Sequence, residues 1–212
     1  MADVSDTELL DRWRGGDARA GEKLATRYFM PIRAYFLNKA PAAHEDLVQE
    51  VFVRLSSKRD SYAGRSSFRV FLFGVARMVL LEYLRAKQKA ARFDPMEHSV
   101  ADTQGGRMSS LMARGESHRL LLDALRELPL ADQEILELYY WQKLTAREIA
   151  EVQGLPEPTI RSRVRAALKR AGKAFDDLRA APASDEVGDD ALEGWLGELR
   201  SELGGLKVSI AR

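Results

Sequence analysis

Residues 144–170 read LTAREIAEVQGLPEPTIRSRVRAALKR, the pattern of two helices joined by a tight turn. Thr145 stands where an N-cap belongs, and Glu148 follows at the spacing of a capping box. Leu144 before the cap and Ile149 after it are placed to staple the helix entry. Gly154 supplies a residue able to take positive φ and stop the first helix. The second helix can start at Pro156, with Glu157, Pro158 and Thr159 in a first turn where a missing amide donor does no harm. Ile160, Val164, Ala167 and Leu168 form its core stripe at three- and four-residue spacing. Ser162, Arg165, Ala166 and Lys169 point away from that stripe, with Arg161 and Arg163 on its flanks. A helix held from behind, with a cationic outer face, has what entry into a DNA major groove requires. An ordinary bundle helix with a solvated basic face shares this local pattern.

The chain has 212 residues, 45% of them hydrophobic, which allows one large domain or two small ones. It contains no cysteine, so disulfides and cysteine-based zinc sites are excluded, and a reducing compartment suits it. Asp3, Asp6 and Glu8 open the sequence where a secretory signal would be basic and then apolar. The most apolar run, residues 68–84, is interrupted by Arg69, Arg77 and Glu82, which argues against a membrane-spanning helix. The expectation is a soluble cytoplasmic protein with no membrane insertion. Net charge is only +1, but its distribution is uneven. Residues 156–173 carry six basic side chains against the single acid Glu157, whereas residues 181–212 carry seven acids against three basic residues. The acidic tail masks a basic body.

Helical periodicity runs through nearly every patterned segment, and the expected fold is all-α, with two small helical domains joined by a flexible linker. Ser5, Asp6, Thr7 and Glu8 form a second capping-box pattern ahead of Leu9, Leu10 and Trp13, and Gly15-Gly16 ends that helix. A longer helix is predicted over about residues 17–39, bent at Pro31. A third spans about 44–57, with Leu47, Val48, Val51, Phe52 and Leu55 in one stripe. After a polar loop over 58–67, a fourth spans about 68–89. Residues 90–115 lose periodicity and gather Gly, Ser, Pro and Asp, as a linker does. A second helical unit covers about 116–178, with a break at Pro129 and a helix over 132–141 ahead of the helix-turn-helix. Leu192, Trp195, Leu196, Leu199 and Leu203 mark a short amphipathic helix in the tail.

His44, His98 and His118 are scattered, and no metal-binding, phosphate-loop or nucleophile motif is present. Neither catalysis nor a cofactor nor a metal is expected. Two clusters carry other chemistry. Asp46, Gln49, Glu50 and Arg54 share the face opposite the apolar stripe of their helix. Asp46 and Glu50 are like charges at i,i+4, which a basic partner or a neighbouring cation of the same fold would offset. The helix from residue 68 mixes the aromatics Phe68, Phe71, Phe73 and Tyr83 with Arg69, Arg77, Arg85, Lys87 and Lys89. That mixture suits unstacked bases of a single strand, and equally a core with solvated cations around it. Phe73 and Tyr83 fit the core better, and the end with Phe68 and Phe71 stays open.

DLVQEVFVRL (46–55), FRVFLFGVARMVLLEYLRAK (68–87) and the run from LPLADQEILELYYW (128–141) through residue 170 together resemble extracytoplasmic-function sigma factors. These are the smallest members of the sigma-70 family of bacterial transcription initiation factors. The resemblance covers residues 5 to about 175, in family order and spacing. It implies a sigma domain 2 over 1–92, a linker over 93–115, a sigma domain 4 over 116–178 and an extension over 179–212. It implies that Asp46, Gln49, Glu50 and Arg54 dock on core RNA polymerase. It implies that Phe68, Phe71, Arg77, Met78 and Arg85, with the preceding loop, capture the melted −10 element of promoter DNA. The second helix of the helix-turn-helix, through Thr159, Arg161, Ser162, Arg163, Arg165 and Lys169, would read the −35 element as duplex. An anti-sigma factor is the expected inhibitory partner. The family often has Trp where Phe71 stands, Asn where Met78 stands and Gly where Pro158 stands, and it offers no counterpart for the tail. The alternative is a stand-alone helix-turn-helix DNA-binding regulator, which would have no use for the face at 46–54.

Overall fold

The computed structural model describes residues 4–87 and 116–178. The predicted linker at 93–115, the acidic tail at 179–212 and Lys89 lie outside the described residues. All regular elements among those described are helices, and none is long and apolar enough to cross a membrane. The chain divides into two compact units, with the principal boundary after Lys87.

The first unit begins with α1 (Asp6–Arg14), capped by the Ser5 hydroxyl, which accepts the Glu8 amide at 3.2 Å. Gly16 takes φ +97° and lets the Asp17 amide return to the Arg12 carbonyl at 2.9 Å, closing α1. Asp17 then caps α2 (Ala18–Leu37) by accepting the Arg19 and Ala20 amides at 3.1 and 3.3 Å. Its other carboxylate oxygen binds Arg12 at 2.7 Å, and that bond holds the carboxyl below the usual aspartate range. Helix α2 continues through Pro31 without interruption. Helices α1 and α2 approach closely at Gly21, where an added Cβ would stand 2.6 Å from the Trp13 indole.

Helix α3 (His44–Lys58) passes through a 3₁₀ turn (Arg59–Ser61) into the loop before α4 (Phe68–Lys87). Ser67 caps α4 by accepting the Val70 amide at 3.3 Å. The core forms where α2, α3 and α4 meet, from Leu24, Ile32, Phe36, Val51, Leu55, Leu72, Phe73 and Leu80. Within the expected stripe of α3, Phe52 is only half-buried.

The second unit holds α5 (Glu116–Glu127) and α6 (Leu130–Leu136), separated at Pro129 as predicted. The helix expected over 132–141 starts two residues earlier and widens into a π turn, Glu137–Trp141. There the Gln142 amide reaches five residues back to the Glu137 carbonyl at 3.0 Å, and Leu144 reaches Leu138 at 3.0 Å. Lys143 makes the reversal at φ +52°, a conformation more often filled by Gly or Asn.

Helix α7 (Ala146–Gln153) carries the predicted capping box complete. The Glu148 amide donates to Thr145 Oγ1 at 3.2 Å, and Glu148 Oε2 accepts the Thr145 amide at 2.9 Å. Leu144 and Ile149 are both buried, as a staple requires. Gly154 ends α7 at φ +69°, with the Leu155 amide on the Ala150 carbonyl at 3.1 Å. The Thr159 and Ile160 amides donate to the Pro156 carbonyl, so the first turn of α8 (Glu157–Leu178) is set from Pro156. Helix α8 lies against α5 and α6 through Ile160, Ala167, Leu168, Ala171 and Phe175. Val164, expected in that stripe, is half-buried. Arg170 Nε donates to the buried Asp132 carboxylate at 2.7 Å and ties α8 to α6.

Candidate nucleic-acid interface

The outer face of α8 is built from behind. Its apolar stripe is anchored, and Arg161, Ser162, Arg165, Ala166 and Lys169 are all exposed, with Thr159 and Arg163 half-buried beside them. Arg161 is paired within its own helix. Its guanidinium is held by Glu157 one turn earlier, at 2.5 and 3.0 Å. The Ser162 hydroxyl donates to the Thr159 carbonyl at 2.9 Å, which leaves its oxygen lone pairs outward as acceptors. Arg165 and Lys169 extend from this face one turn apart.

The first unit places its candidate residues along α4 and along α3. Phe68 is a correction. Only 2% of it is exposed, and its ring lies 5.5 Å from Tyr28 and 6.2 Å from Tyr62. No base can stack on Phe68 without opening the core. Phe71, one turn on, is half-buried with its ring 5.0 Å from Tyr62, so an edge of it reaches the surface. Met78 is 41% exposed, Arg85 is exposed, and Arg77 is half-buried and engaged within the fold. Met78 can meet a base by apolar contact, and its thioether offers only a weak acceptor.

The face of α3 is also revised. Asp46 and Gln49 are exposed as predicted. The like-charge pair is not left unoffset, however, because Glu50 binds Arg54 at 2.6 Å and Arg54 binds Glu82 of α4 at 2.7 Å. Hydrogen bonding to Glu82 and then Glu50 raises the Arg54 pKa, and the same Arg54 bond lowers that of Glu82. Arg54 and Glu50 therefore join α3 to α4, and Asp46 and Gln49 remain the outward polar pair.

Beside that pair runs a groove of about 630 Å³ between α2 and α3, lined by Phe29, Arg33, Val48, Gln49, Phe52 and Val53. Phe29 is 44% exposed and Val53 56% exposed, and the Phe29 and Phe52 rings stack at 6.4 Å. Sequence reasoning missed Phe29 and Val53. Their signal was position, because each lies off the apolar stripe of its own helix.

Residues 25–90 match the family described as Sigma-70 region 2, and residues 118–170 match Sigma-70, region 4. The chain belongs to the sigma-70 family, in its extracytoplasmic-function group. This sigma factor binds core RNA polymerase and directs promoter-specific initiation of transcription. It is 27% identical over 175 residues to the ECF RNA polymerase sigma-E factor of Haemophilus influenzae, covering 76% of this chain and 90% of that one. It is 25% identical over 191 residues to the RNA polymerase sigma-H factor of Pseudomonas aeruginosa, covering 84% and 97%. Among solved structures, CnrH in complex with the cytosolic domain of CnrY shares its fold. The TM-score is 0.58 at 19% identity, over 82% of this chain and 99% of that one.

Proposed function

We propose that residues 1–92 dock on core RNA polymerase and capture the melted −10 strand, while residues 116–178 read the −35 element as duplex. The observation that carries the docking half is the pairing of exposed Asp46 and Gln49 with the apolar groove of Phe29, Phe52 and Val53. An open apolar patch rimmed by polar residues is what a protein partner covers. Phe71, Met78 and Arg85 offer an aromatic edge, an apolar tip and a cation to unpaired bases and their phosphates. Arg161, Ser162, Arg163 and Arg165 supply the base-edge chemistry of the duplex-reading helix, and Lys169 supplies a phosphate contact. Thr159 sits in the first turn, where backbone amides also favour phosphate. An anti-sigma factor would inhibit most directly by covering the α2–α3 groove. Such work is cytoplasmic and requires no reaction catalysed by the chain itself.

Asp46→Ala combined with Val53→Ser tests the docking surface. Both positions are exposed, so the melting temperature should stay within a few degrees. Affinity for core polymerase should fall by about tenfold or more, as for loss of an interface anchor worth over 1 kcal/mol. A large fall in melting temperature with unchanged polymerase affinity would refute the assignment.

A further inference from the structure

Arg14 ends α1, outside the residues that match region 2, and it reaches the segment leading into α4. Its Nε and Nη2 donate to the Arg59 carbonyl at 3.0 and 2.6 Å, and Nη2 also donates to the Tyr62 carbonyl at 2.5 Å. One guanidinium therefore ties together the carbonyl that opens the 3₁₀ turn and the carbonyl just past it, where the backbone becomes extended at Tyr62. Beyond that point the Tyr62 hydroxyl donates to the Ser66 carbonyl, closing residues 62–66 into a small loop. The Tyr62 ring rests against Phe68 and Phe71. Ala63, Gly64 and Arg65 are left exposed at the tip, and Gly64 stands at φ +70° with open space around it.

Helix α1 is itself fixed in place. Trp13 lies on Gly21 of α2, and the Arg59 guanidinium sits 5.1 Å above the Trp13 ring. At the other end, Asp6 accepts hydrogen bonds from Arg27 and from Tyr28, whose ring packs on Phe68. The helix thus braces both the loop and the first residue of α4.

We infer that Arg14 is a positioning residue for capture of the melted −10 strand, and that α1 belongs to the promoter-reading apparatus. This rests on the proposed capture of that strand by Phe71 and the loop that precedes α4. A site that receives a flexible strand discriminates best when its own shape is fixed beforehand. A planar fork that satisfies two carbonyls at once fixes a loop as a lysine point charge does not.

The test uses the full chain bound to core polymerase and forked DNA with a single-stranded −10 segment. The cognate strand is compared with strands carrying one substituted base. Arg14→Ala should reduce the ratio of cognate to substituted affinity by about tenfold, the scale of one or two lost charge-assisted hydrogen bonds. Affinity for core polymerase should be unchanged. Arg14→Lys should restore only part of the ratio. Amides of residues 63–66 should exchange faster in the alanine variant, with those of α3 and α4 unaltered. Should Arg14→Ala fail to fold, Tyr62→Phe, which removes the hydroxyl bond to Ser66 and leaves Arg14 in place, should lower the same ratio. Equal weakening of cognate and substituted strands, or an unchanged ratio, would overturn the inference. A wild-type holoenzyme that shows no base preference in the single strand would instead refute the underlying assignment of the loop.

Discussion

At the residue scale, Phe68 and Phe71 stand three positions apart on one helix and have opposite fates. Phe68 is enclosed by Tyr28 and Tyr62, whereas Phe71 keeps an edge at the surface. Phe68→Ala should lower stability by about 3–5 kcal/mol, the usual cost of emptying an aromatic core site. Phe71→Ala should cost far less stability and should weaken binding to single-stranded −10 DNA. Urea titrations and strand-binding isotherms on the two variants check this, and similar stability losses in both would contradict it. The Arg54 network gives a pH signature. Glu82 has a folded pKa below its unfolded one, so its contribution is complete above the unfolded pKa and is lost as pH falls through the folded pKa. Urea midpoints should therefore fall on acidification from the ordinary glutamate range downward through the lowered folded pKa, and less steeply in Arg54→Met. Parallel profiles would refute the link. Neither relation was legible in sequence, because Tyr28 lies 40 residues from Phe68 and Glu82 lies 28 from Arg54. What a side chain touches across helices has no local periodicity to announce it.

At the element scale, the helix-turn-helix is the part that sequence specified best, because its determinants are local. Thr145 and Glu148 are three residues apart, Gly154 alone makes its turn, and both were readable as a cap and a stop. The π turn at Glu137–Trp141 was not readable, since its reversal uses Lys143 at positive φ where glycine would have signalled it. Helix α8 presents two kinds of cation. Arg165 stands on the outward face suited to guanine edges, and a bidentate pair there is worth roughly 1–3 kcal/mol of discrimination. Lys169, a turn later, suits phosphate. Arg165→Ala should relax preference between cognate and altered −35 duplexes, and Lys169→Ala should chiefly reduce the salt dependence of binding. Equal losses on specific and random duplexes for both variants would contradict this division. Glu157 bears on the same surface, because it pairs with Arg161 one turn on.

At the scale of the whole molecule, the proposed reading gives the two helical units separate tasks, polymerase docking and single-strand capture for the first and duplex reading for the second. Domain order and family were legible because the motifs at 46–55 and 156–170 occur together at family spacing. The groove was not, because Phe29 and Val53 come from different helices. A stand-alone regulator would bind its duplex without polymerase and would leave polymerase start sites unaltered. The most direct measurement maps RNA 5′ ends made by core polymerase on fragmented genomic DNA, with and without the purified chain. New starts should appear only with the chain and should share two sequence elements at fixed spacing. Asp46→Ala with Val53→Ser should abolish these starts by loss of polymerase binding. An unchanged pattern of starts, with sequence-specific duplex binding by the chain alone, would contradict the account.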